Sequence, residues 1–164
     1  MFKISLIRKR YGRAASKIAS LSPGPNEVKV GFPAGDADQD NISKAVWNEF
    51  GTRGGASGGG WGGPIPERPF MRNAMRDNRG KYQAAMHKAA KTIFRTAAFG
   101  GDPATVKRAA LSKLGIMAQG DIQAEITSLS SPPNSPVTVA LKGSSNPLID
   151  SGEMRNSVTF KLEE

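Results

Sequence analysis

The chain reads as an α+β protein, with a small, mainly antiparallel sheet, long helices on one side of it, and a glycine-rich flexible arm. Three observations predict this class. Apolar residues recur at three- and four-residue spacing through two long stretches in the second half of the chain. Short stretches such as "EVKVGFP" alternate apolar and polar residues instead. Between the two patterns, eight of the thirteen residues from Gly51 to Gly63 are glycine, which suits neither helix nor strand.

The first candidate element is a basic amphipathic helix. Ile7, Tyr11, Ala14, Ala15, Ile18 and Leu21 form its stripe, and Arg8, Lys9, Arg10, Arg13 and Lys17 fill the gaps. Such a stripe packs on a core more often than on a membrane. The preceding "FKISL" fits either a strand or a helix entry. "SPGPN" stops this helix, and Val28, Val30 and Phe32 then share one face of a strand that Pro33 ends. "ISKAVWNEF" is a short helix, and the aspartates of "AGDADQDN" complement its N-terminal dipole. After the glycines, "IPERPFMRNAMRDN" opens one long helix to about Phe99, with Gly80 as an interior weak point. Asp102 caps the next helix with Pro103 at its first position, and that helix runs to about Leu129. Its apolar positions Val106, Ala110, Leu114, Met117, Ile122, Ile126 and Leu129 drift around the axis. "VTVALK" alternates and reads as a strand. Asp150 and Glu153 have the spacing of a capping box, and "VTFKLEE" is a final strand.

The 164 residues suit a single domain over 1–164, with 51–65 as the flexible arm. Lys and Arg outnumber Asp and Glu by 23 to 14, a net charge of +9 that favours acidic partners. The absence of cysteine excludes disulfides, thiolate nucleophiles and cysteine metal sites. No stretch reaches transmembrane length or resembles a signal peptide, so a cytoplasmic, soluble protein without a membrane partner is expected.

The chemistry-bearing patterns are sparse. His87 is the one histidine, and neither a zinc site nor a nucleophile elbow accompanies it. Asp36, Asp38 and Asp40 match the start of a calcium loop. Asn41 then replaces the turn glycine and Trp47 the bidentate glutamate, so helix capping is the better account. The glycines lack the Gly-Lys-Ser/Thr of a P-loop and run into prolines, not directly into a helix. No cofactor, metal or catalytic residue is expected. Trp61, alone among glycines, is either an anchor for a partner or an aromatic folded back on its own core.

Two motifs carry a resemblance. Trp47, Glu49, Phe50, Gly51 and Thr52 form an aromatic-x-Glu-Phe-Gly-Thr element, and Pro66, Arg68, Pro69 and Phe70 form a Pro-x-Arg-Pro-Phe element before a basic helix. With "VGFPAG" and the tail "NPLIDSGEMRNSVTF", these resemble the tail-completion, head–tail-joining (neck) proteins of tailed bacteriophages grouped with the minor tail protein Z of phage lambda. The glycine arm departs from relatives, in which this loop is often shorter. The resemblance implies a non-enzymatic structural virion protein, made in the host cytoplasm and placed at the neck or tail end. It implies a homo-oligomeric ring, a hexamer by analogy with tail symmetry, that touches adjacent neck, tail-terminator or tail-tube proteins.

On one continuous helix, Arg68, Arg72, Arg76 and Arg79 fall within about 80° of each other. They are either a solvated flank or an interface with the next subunit, and DNA in a central channel is a further partner for them. Asp36, Asp38 and Asp40, together with the Asp150/Glu153 turn, offer the complementary acidic patches that a ring needs. Lys81, Lys88, Lys91 and Arg95 lie toward the opposite, solvated side. The alternative to a ring component is a stand-alone basic nucleic-acid-binding protein. Its weakness is that aromatics are not interleaved with the basic runs.

Overall fold

In a computed structural model, residues 2–5, 24–33, 35–54 and 64–163 are described. Among these, β1 (Phe2–Ser5), β2 (Glu27–Gly31) and β3 (Thr159–Glu163) form one antiparallel sheet in the order β1-β2-β3. "FKISL" is thus the first strand. The basic amphipathic stretch after it, the glycine arm's centre and Trp61 lie outside the described residues. β2 is central, paired on both edges; its Val28 and Val30 are fully buried and pair with Leu162 and Phe160 of β3.

The helices are α1 (Gln39–Phe50), α2 (Phe70–Asp77), α3 (Arg79–Ala98), α4 (Pro103–Ser128), α5 (Pro136–Lys142) and α6 (Glu153–Asn156). The architecture is α+β. α4 is its spine, packing on β2, β3, α2 and α3. Its buried positions, Lys107, Leu111, Leu114, Ala118, Ile122 and Ile126, move around the axis, by about 120° from Leu114 to Ile126. The drift expected from sequence is therefore present, and it lets α4 face α2 and α3 as well as the sheet. Lys107 occupies a core position that the apolar pattern could not claim. Gly115 lets the sheet close on α4, since a Cβ there would lie 2.3 Å from Cδ2 of Phe160. Asp102 accepts from the amides of Ala104 and Thr105, as the cap reading required.

Three expectations need correction. "VTVALK" is the helix α5, not a strand. Ser135 caps it by accepting from Thr138 N at 3.1 Å, Pro136 starts it, and Gly143 ends it in the left-handed conformation. These end signals outweigh β-branched propensity, and no residue of α5 is buried, so no sheet face recruits it. The long helix after the glycines is two helices, broken at Asn78 and not at Gly80. Asn78 donates its side-chain amide to Ala74 O at 3.0 Å, competing with the backbone ladder. Asp150 and Glu153 form no capping box. The N-cap of α6 is Gly152 at φ +85, and the turn before it is shaped by Asn146, whose Oδ1 accepts from Leu148 N and Ile149 N.

Candidate functional site

The two short motifs meet in space and form a clasp at the base of the glycine segment. Thr52 N donates to Ile65 O at 2.9 Å, and Ile65 N donates to Thr52 Oγ1 at 3.1 Å. The chain therefore enters and leaves residues 53–64 through one closed pair. Gly51 makes the turn into it at φ +69, where a Cβ would sit 3.0 Å from Ile65 O and 3.1 Å from Glu67 N.

Glu49 anchors the inner side. Its carboxylate is 2% exposed, and Oε2 accepts from Met71 N at 2.9 Å while Oε1 accepts from Arg72 N at 3.1 Å. A carboxylate from α1 thus satisfies two of the unpaired amides that begin α2, where the helix dipole favours negative charge. Pro69 explains why outside help is needed: it occupies the N-cap and offers no side-chain acceptor. Arg72 closes the network. Its Nε donates to Glu49 Oε1 at 2.9 Å, its Nη2 donates to Glu49 O and to Glu67, and its guanidinium stacks 5.4 Å from the Phe50 ring centre. These bonds, chiefly the one to Glu49, raise the Arg72 pKa above its ordinary value.

Arg68 does different work. It is 4% exposed and donates to Pro132 O, Pro133 O, Asn48 Oδ1 and Asn134 Oδ1 at 2.9–3.2 Å. Burial lowers its pKa, and no carboxylate offsets this. Its planar fork instead ties α1, the segment after the glycines, and the loop before α5 through neutral acceptors. Phe70, fully buried, sits edge-on to Phe32 at 6.3 Å and fixes the clasp to the core.

The arginines expected to form one stripe are therefore not a stripe. Arg68 precedes the helix and points inward, Arg72 is neutralised by two glutamates, and Arg76 pairs with Asp77 and Asn73. Arg79 belongs to a separate helix beyond the Asn78 break and is exposed. Two of the acidic positions are also engaged internally: Asp36 pairs with Lys161 at 2.8 Å, and Asp38 caps α1. Asp150 and Glu153 are exposed, on a tail segment whose Leu148, Met154 and Val158 enter the core.

No family model, curated protein or solved structure matches the chain. The site must accordingly be read from its own geometry. Asn48, Asn134 and Asn146 were not foreseen as organisers, and only the recurrence of asparagine beside turns hinted at them. Outside the Arg72–Glu67 pair, apolar side chains reach the surface beside the clasp. Phe50 and Val46 are spaced one turn apart on α1 and are 65% and 48% exposed. Val137 and Leu141 repeat that spacing on α5, also exposed. Among the described residues no cluster of three or more His, Cys, Asp or Glu could hold a metal, and no helix is long and apolar enough to cross a membrane.

Proposed function

We propose that this chain is a non-enzymatic structural protein of a tailed-phage particle, a tail-completion or neck component that assembles into a ring with copies of itself. The observation carrying the reading is the clasp. The two stretches that bear the resemblance lock onto each other around the glycine segment: Thr52 bonds Ile65, Glu49 bonds Met71 and Arg72, and Arg68 bonds Asn48. Side chains are spent here on holding a loop at a fixed base, which suits a chain that presents a segment to a neighbour. The exposed pairs Val46/Phe50 and Val137/Leu141 supply apolar surface on two different helices. A head-to-tail ring requires two such dissimilar patches.

Sedimentation velocity and negative-stain microscopy of the purified chain test the reading. A discrete closed ring is expected, and Phe50→Ser should dissociate it while the subunit stays folded. A protein that remains monomeric both alone and mixed with tail-tube and neck proteins would refute it.

A further inference from the structure

The charge the clasp does not neutralise lies on α3. No Asp or Glu occurs between Asp77 and Asp102, while Arg79, Lys81, Lys88, Lys91 and Arg95 all fall in that interval. Lys81, Lys88, Lys91 and Arg95 share an arc of about 80° and cover about 21 Å of helix axis. All four are exposed. The opposite side of α3 is occupied: Tyr82, Ala85 and Met86 belong to the core, and Ala89 and Ile93 face α4 across a shallow apolar groove. Lys81 is held by Asp121 at 2.6 Å. Among the described residues, Lys88, Lys91 and Arg95 have no carboxylate partner.

A row of like charges on one rigid helix repels itself, and a polyanion relieves that cost. Duplex DNA carries about one negative charge per 1.7 Å of axis, so the row would face several phosphates at once. The row is not interleaved with exposed aromatics as single-strand binding requires: Tyr82 is buried, Phe94 is half-buried, and the exposed Phe99 stands beyond the end of α3. It also lacks a continuous free apolar face for entering a bilayer, because Tyr82, Ala85 and Met86 are packed in the core and Ala89 and Ile93 are turned toward α4. We infer that the Lys88–Lys91–Arg95 face of α3 is a sequence-independent contact surface for the phosphate backbone of duplex nucleic acid. The inference does not require the ring, and it moves the candidate nucleic-acid contact away from the arginines around the clasp.

The test is fluorescence anisotropy of the full chain on a labelled DNA duplex across a salt series. The wild type should bind unrelated sequences equally. Lys88→Gln/Lys91→Gln/Arg95→Gln should lower the slope of log K against log salt by about 3 and weaken binding at about 50 mM salt by tenfold or more. Each single change should lower the slope by about 1, which preserves the test if the triple variant folds poorly. Arg76→Gln, on α2, should leave the slope unchanged. The inference falls if the wild type ignores duplex DNA at low salt. It also falls if the triple variant keeps the wild-type slope, which would place the affinity in the basic run from Arg8 to Lys17, or if anionic vesicles are bound and DNA is not.

Discussion

Gly51, Gly115 and Gly120 look alike in the sequence and differ sharply in what surrounds them. At Gly51 the φ of +69 and the nearby Ile65 O leave no comfortable place for a side chain, so Gly51→Ala should cost about 1–2 kcal/mol. At Gly115 an added methyl meets the Phe160 ring, and Gly115→Ala should cost about 1–3 kcal/mol through overpacking. Gly120 has nothing within 4 Å, so Gly120→Ala should stabilise α4 by about 0.5–1 kcal/mol. Thermal unfolding of the three variants checks the order. Tyr82 gives a pH signature at the same scale. Its hydroxyl donates to Asp121 Oδ2 at 2.7 Å, and burial, helped by that carboxylate, raises its pKa above the ordinary 10.0. A raised pKa means that the fold favours the neutral phenol. The stabilisation is complete below pH 10.0 and is lost as pH climbs from there toward the folded-state pKa. Tyr82→Phe should be less stable by about 1 kcal/mol near neutrality. The gap to wild type should narrow above pH 10.0 in denaturant titrations, and a constant gap would argue against the assignment.

At the scale of elements, α2 depends on α1 for its first turn. Glu49→Ala removes a buried acceptor from two helix amides and from Arg72 at once, and should destabilise the protein by about 3 kcal/mol. Glu67 touches the same arginine from an exposed position, and Glu67→Ala should cost less than about 1 kcal/mol. Comparable losses from the two variants in chemical denaturation would mean that the helix amides contribute little. The same network makes Arg72→Glu a poor probe of assembly, since it sets a carboxylate against Glu49 and Glu67. α5 shows how strongly ends govern an element. Ser135, Pro136 and Gly143 bracket seven residues whose composition suits a strand. Ser135→Ala should loosen α5 by about 1 kcal/mol, read as faster amide exchange confined to residues 136–142.

For the whole molecule, the clasp separates the fold from the glycine segment. Excising residues 55–62 spares the Thr52–Ile65 pair, so stability should stay within about 1 kcal/mol of wild type. On the proposed function, the same excision removes Trp61 and should impair ring formation. A variant that loses stability would mean that the segment belongs to the core, and one that assembles normally would mean that it is only a spacer. Most of the architecture was legible beforehand. The cap at Asp102, helix capping by the aspartates before α1, and the shared face of Val28 and Val30 all appeared where the residues pointed. The candidate site was legible only as motifs. Their positions were visible, but nothing in "ERPF" showed that Arg68 turns inward while Arg72 reaches two glutamates.

The division follows the range of the interactions. Helix caps, strand alternation, turn glycines and the acid-free run of α3 depend on neighbours within about four residues, and such physics is written in adjacent letters. Arg68 reaches Pro132, 64 residues away, and Glu49 reaches the amide of Met71, 22 residues away. Which arginine is buried, which is paired and which stays free is set by where the chain returns. Buried polar groups must find partners wherever the packed core leaves them, because leaving one unpaired costs more than any local preference supplies. Lys107, on the core side of α4 with its Nζ on Asn26 Oδ1 at 3.0 Å, shows this most plainly: its letter reads as surface, and the fold places it inside.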